Sequence, residues 1–361
     1  MRIVIAGGGT GGHLFPGIAI AEEFIKRNAQ TKVVFIGTKR GIESRLLSRL
    51  GYDLETIDIE GIKGRGIRAL VKSVFQIPKS LWQARGILKQ FSPDMVVGVG
   101  GYASGPAVLA AYLMGIPTSI AEQNAIPGVT NKILGNVAGK IFVTYPRTQE
   151  CFPRRKVVIS GNPVRASFAA QSFRTKEDRT HRQLLIFGGS QGAEAINRGV
   201  IDMLPRLSGM KDRIRIVHQT GARQMEEVKK AYAQSGLQAV VTDFIMDMAE
   251  AYAQADLIIC RAGATSLAEI TVAGKAAVLI PYPWAANDHQ LKNALAMSDA
   301  GAAVVIPEKE LSGESLFNAI DGILRDENRR LLMEENSLRM GKAEAAATIV
   351  DECMKLTDAK H

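Results

Sequence analysis

The sequence has 361 residues, of which 46% are apolar and 22% are charged, and its formal net charge is +9. This length and composition indicate a globular protein of two domains, and they exclude a disordered chain, a collagen-like repeat and a small disulfide scaffold. No apolar run approaches the ~20 residues of a membrane-spanning helix. Only four apolar residues stand between Arg2 and Gly7, which is too few for the apolar core of a signal peptide, so we predict a cytoplasmic protein.

The first half alternates between strands and helices. An apolar run at residues 2–6 predicts a buried strand, and a glycine loop follows at residues 7–12. A helical pattern follows from Pro16 to Lys26 and predicts a helix there. Further strands are predicted at residues 31–37, 94–99, 117–120 and 140–144, with a helix at residues 106–114.

The second half repeats this pattern of strand, glycine loop and helix. RIVIAGGGTGG near residue 2 and QLLIFGGSQGA near residue 183 share the order strand, glycine loop, helix. The second copy predicts a strand at residues 183–187 and a helix at residues 195–204. Further strands are predicted at residues 213–218, 240–242, 257–259 and 276–281. We therefore predict an α/β protein with two doubly wound parallel sheets and a cleft between them.

The join between the two domains is predicted near residues 160–165. The first domain then spans residues 1–162 and the second spans residues 163–339, with a polar surface loop after the join. Residues 340–361 form an alanine-rich helical tail without a strand partner, and we expect this tail to pack back on the first domain.

Positive charge is concentrated in the first half. Residues 1–160 hold 21 Lys and Arg against 10 Asp and Glu, and residues 61–90 hold seven basic residues and no acid. Phe75 and Trp82 lie among them, so this segment fits a helix attracted to an anionic membrane surface. The alternative is a core-facing helix with a solvated basic face. Nucleic-acid binding is not predicted, because no recognition motif accompanies the charge.

The glycine loop at residues 7–12 satisfies G-x-G-x-x-G after a strand, an arrangement that presents a helix N-terminus to a phosphate. A dinucleotide site needs an acid about 20 residues later. Lys39 and Arg40 stand there instead, which leaves an NADP-dependent oxidoreductase open as an alternative.

The loop at residues 188–192 also matches G-x-S-x-G, the nucleophile motif of α/β-hydrolases. Asp256 and His289 follow in the order that a hydrolase would need. The duplication favours another reading, in which Ser190 hydrogen-bonds a phosphate oxygen as Thr10 does in the first half.

A third loop, Arg261 to Ser266, follows an apolar strand and opens a helix predicted at residues 266–273. Glu269 inside that helix could accept both hydroxyls of a ribose beside a diphosphate at the helix start. The alternative is a capping box with Thr265 or Ser266 as the cap and Glu269 as its partner.

No cofactor or metal is predicted. The sequence has no Asp-x-Asp of the kind that holds a metal against a nucleotide diphosphate, and no G-x-x-x-x-G-K-[ST]. Its five histidines and three cysteines have no metal-ligand spacing.

Several motifs together resemble one family. They are GGTGGHLFPG (8–17), GVGGYASGP (98–106), AEQNAIPG (121–128), GNPVR (161–165), GGSQGA (188–193), RAGATSLAE (261–269) and the Asp-His-Gln loop (288–290). In this order they resemble the MurG family, whose members transfer N-acetylglucosamine (GlcNAc) from UDP-GlcNAc to undecaprenyl-pyrophosphoryl-MurNAc-pentapeptide. The resemblance covers nearly the whole chain.

The resemblance implies a GT-B glycosyltransferase with two Rossmann-like domains, the donor bound mainly by the second. It implies an inverting transfer to the 4-hydroxyl of MurNAc in lipid I, which gives the β-1,4 bond of lipid II in peptidoglycan synthesis. It also implies a peripheral enzyme on the cytoplasmic face of the bacterial inner membrane, with other cell-wall synthesis proteins as possible partners. A UDP-GlcNAc 2-epimerase of the same fold, or a non-enzymatic sugar-nucleotide-binding protein, stays an alternative.

The resemblance assigns the uracil to the backbone of Ile245 with Phe244 beside it, the ribose to Glu269, and the sugar to Gln290 and Asn293. The full donor set is Thr10, Gly11, Gly12, Asn124, Arg165, Ser190, Phe244, Ile245, Ala264, Thr265, Ser266, Leu267, Ala268, Glu269, Gln290 and Asn293. The acceptor or membrane set is Tyr102, Phe75, Trp82, Lys72 and Lys79.

An inverting displacement needs a base for the acceptor hydroxyl. His13, at the end of the first glycine loop, is the first candidate for this base and Glu122 is the second. Helix N-termini, Ser190 and Arg165 are expected to stabilise the charge on departing UDP.

Overall fold

The computed structural model describes residues 1–39, 43–59, 66–170, 181–189, 191–285 and 288–358, with the backbone alone for residues 43–45, 66–75 and 169–170. The chain forms two compact units. The first contains Met1–Ala166 and Lys342–His361, and the second contains Ser167–Gly341. The chain therefore passes from the first unit to the second after Ala166 and returns to the first unit at Lys342.

The first unit is built on a parallel sheet, whose described residues form seven strands in the order β3-β2-β1-β4-β5-β6-β7. The strands are β1 (Arg2–Ala6), β2 (Lys32–Gly37), β3 (Asp53–Thr56), β4 (Met95–Gly98), β5 (Thr118–Glu122), β6 (Lys140–Val143) and β7 (Val157–Ile159). The helices are α1 (Gly11–Arg27), α2 (Glu43–Arg49), α3 (Gly66–Phe91), α4 (Ser104–Leu113), α5 (Val129–Leu134), α6 (Ala166–Ala170), which continues past the end of this unit, and α14 (Ala345–Asp358).

Both faces of this sheet are covered, because successive side chains of a strand point to opposite sides. Ile3 and Ile5 of β1 pack in one buried cluster with residues of α1 and α14, including Ile349 and Cys353. The alternate face carries Val4 and packs under α3 and α4. The C-terminal helix α14 is thus part of the core of the first unit.

The second unit repeats this design with a sheet whose described strands run β10-β9-β8-β11-β12-β13, all parallel. The strands are β8 (Arg182–Phe187), β9 (Ile214–Gln219), β10 (Ala239–Thr242), β11 (Leu257–Cys260), β12 (Ala277–Leu279) and β13 (Ala303–Val305). The helices are α7 (Glu194–Leu207), α8 (Met225–Ser235), α9 (Met248–Gln254), α10 (Ala264–Ala273), α11 (His289–Asp299), α12 (Gly313–Leu324) and α13 (Glu327–Met340). Two doubly wound sheets confirm the predicted fold class.

The predicted start of the first helix was wrong. The helix α1 begins at Gly11 and contains Pro16, because Thr10 is its extended N-cap residue. The carbonyl of Thr10 accepts hydrogen bonds from the backbone N–H groups of His13 (3.2 Å) and Leu14 (3.1 Å). The last two residues of the expected glycine loop, Gly11 and Gly12, therefore belong to the first turn of a helix, whose N–H groups have no partner within the helix.

Candidate active site

Each sheet reverses its strand order at one place, between β1 and β4 in the first unit and between β8 and β11 in the second. In open α/β sheets such a switch point forms a crevice at the carboxyl ends of the strands, where ligands bind. The glycine loops after β1 and β8, and the helices α1, α7 and α10, all begin at these two edges.

His13 lies in the first turn of α1, beside the glycine turn that follows β4. Gly100 in that turn has a φ of +90°, and a Cβ there would lie 2.6 Å from Nδ1 of His13. A side chain at position 100 would therefore displace the imidazole. The ring is half-buried at the switch point of the first sheet.

Glu122 ends β5 and is 3% exposed. Its Oε1 accepts hydrogen bonds from the backbone N–H (3.0 Å) and side-chain amide (3.2 Å) of Asn124. Its Oε2 accepts from the backbone N–H of Gly128 (3.0 Å) and the amide of Asn131 (2.9 Å). Four N–H donors thus hold this carboxylate, and the carboxylate in turn shapes residues 123–128.

Asn131 was missing from the predicted site. Its amide donates to Glu122 and to the carbonyl of Ala121 at 3.1 Å. It lies on α5, and no sequence motif links it to Glu122, because the two are brought together by the turn between β5 and α5.

Arg165 belongs to the first unit by its position in the chain. Its guanidinium lies over the ring of Phe15, 4.5 Å from the ring centroid, which is a cation–π arrangement. Phe15 is one turn of α1 from Gly11 and was not among the predicted residues. Tyr102, in the turn after β4, is 51% exposed.

The helix α10 opens the candidate half-site of the second unit. It begins at Ala264, with Gly263 as its N-cap residue and without a side-chain capping hydrogen bond. The capping-box alternative with Thr265 or Ser266 is therefore wrong. Glu269 lies further along α10, is 5% exposed, and accepts a hydrogen bond from the hydroxyl of Tyr252 at 3.4 Å. No side chain caps the first N–H groups of α10, and the helix dipole there favours an anion.

Most of the α10 residues that were predicted to bind the donor are buried. Ala264, Thr265 and Leu267 are each less than a tenth exposed, while Ser266 and Ala268 are half-buried. Backbone N–H groups rather than these side chains are what α10 can present to a phosphate.

Gln290 and Asn293 lie on α11 and contact neighbouring backbone. Gln290 accepts a hydrogen bond from the backbone N–H of Tyr282 at 3.0 Å. Asn293 is fully buried, and its amide is 3.5 Å from the carbonyl of Ala262, in the loop that leads into α10. Asn293 therefore contacts the loop at residues 261–263 that leads into α10.

The glycine loop after β8 packs on the turn after β9. Gly192 has a φ of +77°, and a Cβ there would collide with the carbonyl of Thr220. A cavity of about 400 Å³ lies between these segments, lined in part by Gln191, Arg223 and Gln224. Ser190, which was predicted to bind phosphate, lies outside the described residues.

The segment predicted to meet uracil follows β10. Phe244 and Ile245 are half-buried. The hydroxyl of Thr242 donates to the carbonyl of Phe244 at 3.0 Å and closes a tight turn there.

The hydrolase alternative is wrong. Asp256 is fully buried and accepts a hydrogen bond from the backbone N–H of Gln183 at 2.7 Å. Gln183 is near the start of β8 and Asp256 precedes β11. Asp256 therefore lies at the amino ends of the strands, whereas the glycine loop lies at their carboxyl ends. The six residues of β8 separate these two ends by about 20 Å.

The described end of the basic segment has an exposed outer side. Trp82 on α3 is 77% exposed and Ile77 is 44% exposed. Lys79 pairs with Asp58 at 2.9 Å, and this contact, with Gln83, lowers the pKa of Asp58 to about 2. The side chains of Phe75 and Lys72 lie outside the described residues.

In the described part of the chain, no helix has the length and apolarity needed to cross a membrane. The described residues also contain no cluster of three or more His, Cys, Asp or Glu side chains that could hold a metal ion.

Comparison with known proteins gives matches over both units. Residues 3–143 match the glycosyltransferase family 28 N-terminal domain, and residues 183–349 match the glycosyltransferase family 28 C-terminal domain. A protein of Syntrophus aciditrophicus (strain SB) is 51% identical over 356 residues, which cover 99% of both chains. Its name is UDP-N-acetylglucosamine--N-acetylmuramyl-(pentapeptide) pyrophosphoryl-undecaprenol N-acetylglucosamine transferase.

Two solved structures place the fold among its relatives. The crystal structure of Acinetobacter baumannii MurG has a TM-score of 0.77 and 35% identity, and covers 98% of this chain and 99% of that one. A UDP-GlcNAc 2-epimerase from Neisseria meningitidis bound to UDP-GlcNAc has a TM-score of 0.68 and 14% identity, with coverage of 98% and 100%. The epimerase shares the fold alone.

A full-length relative at 51% identity and a matching domain model for each unit lead to one assignment. The chain belongs to the MurG family of N-acetylglucosamine transferases, within glycosyltransferase family 28.

Proposed function

We propose that this chain is a hexosyltransferase that moves GlcNAc from UDP-GlcNAc to the MurNAc 4-hydroxyl of undecaprenyl-pyrophosphoryl-MurNAc-pentapeptide. The product is the β-1,4-linked lipid intermediate of peptidoglycan synthesis. The observation that carries the proposal is the full-length identity of 51% to a transferase of that name. It favours a transferase over the epimerase and the NADP-dependent oxidoreductase.

The second unit binds the donor in this proposal. The N-terminus of α10 and the glycine loop with Ser190 meet the diphosphate, since exposed N–H groups and the helix dipole favour anions there. Glu269, held by Tyr252, accepts the ribose hydroxyls. The backbone near Ile245 meets the uracil, and Gln290 lies beside the sugar. Asn293 acts through the α10 loop, because it is fully buried.

The first unit supplies the base. His13 removes the proton from the acceptor hydroxyl as this oxygen attacks the anomeric carbon of GlcNAc, and UDP leaves from the opposite face. General base catalysis of this kind contributes typically 10²–10⁴-fold to a rate. Arg165, oriented by Phe15, adds positive charge for the departing diphosphate.

Glu122 is better suited to positioning than to proton transfer. Both of its carboxylate oxygens already accept hydrogen bonds, two each, from Asn124, Gly128 and Asn131. We infer that Glu122 holds residues 123–128 in shape, so that Asn124 is presented at the end of the sheet. This assigns the base to His13 alone.

The direct test measures UDP release from UDP-GlcNAc with and without a lipid-I-like acceptor, for the wild type and for His13→Ala. We expect release that depends on the acceptor, and a fall in kcat of about 10²-fold or more in His13→Ala with little change in KM for UDP-GlcNAc. Release by the wild type without acceptor would contradict the transferase. A variant that keeps wild-type kcat would remove His13 from the mechanism.

We further propose that the first unit binds the cytoplasmic surface of the inner membrane, where its lipid-linked acceptor is found. The support is the basic segment at residues 61–90, with Trp82 exposed on α3. Lys72, Phe75 and Tyr102 are further candidates for contact with the lipid or the acceptor. Anionic lipid attracts each nearby Lys or Arg by about 1 kcal/mol.

A further inference from the structure

Three consecutive polar residues are buried at the carboxyl end of β9. His218 is 0% exposed, Gln219 is 4% exposed and Thr220 is 2% exposed. Polar side chains are buried at a cost unless hydrogen bonds compensate them. None of the three belongs to the donor set considered above, although β9 lies between β8 and β10, whose following segments do.

Gln219 connects those two segments. Its Oε1 accepts a hydrogen bond from the backbone N–H of Gly188, the first residue of the glycine loop, at 3.3 Å. Its Nε2 donates to the carbonyl of Asp243, just before Phe244, at 2.9 Å. One buried amide therefore connects the glycine loop, which is proposed to bind the diphosphate, to the segment at Phe244 and Ile245, which is proposed to bind the uracil.

Thr220 strengthens the same connection. Its backbone N–H donates to the carbonyl of Thr242 at 3.0 Å, and its hydroxyl lies 3.3 Å from that carbonyl. On the other side, its own carbonyl accepts from the amide of Asn197 at 3.0 Å. Gly192 packs directly against this carbonyl, so the position of Thr220 sets the end of the glycine loop.

His218 fixes the orientation of Asn197. The amide nitrogen of Asn197 donates to Thr220 and to Oε1 of Gln224 (2.7 Å), so its oxygen is the acceptor that faces Nε2 of His218 at 3.1 Å. Nε2 must then carry the proton, and Nδ1 accepts from the hydroxyl of Tyr232 at 3.1 Å. Burial lowers the pKa of His218 to about 3, which keeps the ring neutral.

We propose that His218, Gln219 and Thr220 form a positioning segment. This segment holds the glycine loop at residues 188–192 and the segment at residues 243–245 at the spacing that a uridine diphosphate needs. The inference rests on the proposed function for the identity of the ligand. The segment touches neither substrate nor reacting atoms. It acts by preorganising the loops, so its loss weakens binding of the nucleotide more than it slows the chemical step.

The first test is Gln219→Glu, which keeps the shape and an oxygen for Gly188 but sets a carboxylate oxygen against the carbonyl of Asp243. We expect the Kd for UDP, measured by calorimetry, and the KM for UDP-GlcNAc to rise about tenfold, with kcat changed by less than about threefold.

The second test is a pair of isosteric variants of His218. The amide nitrogen of His218→Gln reaches the place of Nε2 and can still donate to Asn197, whereas the amide of His218→Asn reaches only the place of Nδ1. We expect His218→Gln to keep the wild-type Kd for UDP within about threefold and His218→Asn to raise it about fivefold or more. Tyr232→Phe is the stability control, because it removes only the hydrogen bond to Nδ1.

The outcomes separate the two proposals. Equal Kd values for UDP in His218→Asn, Gln219→Glu and the wild type would overturn the positioning segment alone, even if the unfolding temperature fell. A Kd that rose as much in Tyr232→Phe as in His218→Asn would reduce the segment to a stability role and overturn it as well. A wild-type chain that failed to bind UDP would overturn the inference together with the proposed function.

Discussion

Buried polar side chains at strand ends organise both half-sites. Glu122 ends β5 and accepts hydrogen bonds from four N–H donors, and Gln219 ends β9 and joins two loops. In each case a side chain in a low-dielectric interior has all or most of its hydrogen-bonding atoms satisfied by loop backbone or amides. Buried groups that are hydrogen-bonded in this way rigidify the loops that they hold, because leaving a buried partner unpaired is costly.

Buried His218 also predicts a pH dependence of stability. Its folded-state pKa of about 3 lies below the unfolded value of about 6.5. Its contribution is therefore complete above about pH 6.5 and is lost as the pH falls toward 3, because the unfolded chain binds the proton first. The free energy of unfolding should fall by up to about 1.4 kcal/mol per pH unit for this one group.

The measurement is urea unfolding of the wild type and of His218→Gln at several pH values between about 4 and 7. The free energy of unfolding should decline less steeply with falling pH in the variant, because its unfolding takes up about one proton fewer than that of the wild type. Identical slopes for the two proteins would mean that His218 does not stay neutral in the folded state.

At the scale of elements, α13 carries a buried cation. Arg330 is 1% exposed, and its guanidinium contacts Glu327 and Glu334 on the same helix. The side chain of Glu334 is itself only 13% exposed. A buried charge of this kind is tolerated only with its counter-charges, so the two glutamates allow α13 to bury the guanidinium.

We expect Arg330→Met to destabilise the second unit by about 3 kcal/mol, because it leaves buried carboxylate charge without the guanidinium. Arg339→Met is the matched control on the same helix. Arg339 pairs with Glu335 on an exposed surface, and its loss should cost less than about 1 kcal/mol. Thermal and denaturant unfolding measure both, and equal effects would show that Arg330 is not held as an interior charge.

Across the whole molecule, charge is divided unequally between the two halves of the chain. The excess of 21 basic over 10 acidic residues in residues 1–160 contrasts with 24 against 26 in the rest. A basic first half suits a unit that works on a lipid-linked diphosphate at an anionic surface. The chain has two tryptophans, one in each unit, and both are largely exposed: Trp82 at 77% and Trp284 at 81%.

This pair of tryptophans allows a controlled test of membrane binding. Trp82→Ser should weaken binding to phosphatidylglycerol vesicles severalfold, whereas Trp284→Ser should leave it unchanged. Binding of the wild type should also weaken as salt is raised, because salt screens the basic segment. Co-sedimentation measures both effects. Equal losses in the two variants, or no binding to anionic vesicles at low salt, would contradict the proposed surface.

The sequence alone determined the fold class and the position of the glycine loops. Both follow from local patterns, namely short apolar runs followed by glycine and a helical repeat. The strands that were missed, Asp53–Thr56, Val157–Ile159 and Ala303–Val305, are all edges of their sheets. Edge strands are paired on one side and less buried, so their apolar pattern is weak.

The tertiary structure decided which residues cooperate within each half-site. Asn131 meets Glu122, Phe15 meets Arg165, and Gln219 joins Gly188 to Asp243 through contacts between separate elements. It also decided where α1 and α10 begin, since their N-cap residues are set by backbone conformation rather than by a capping side chain. Local periodicity carries no information about such contacts, because they arise only when the parallel strands align their carboxyl ends at one edge.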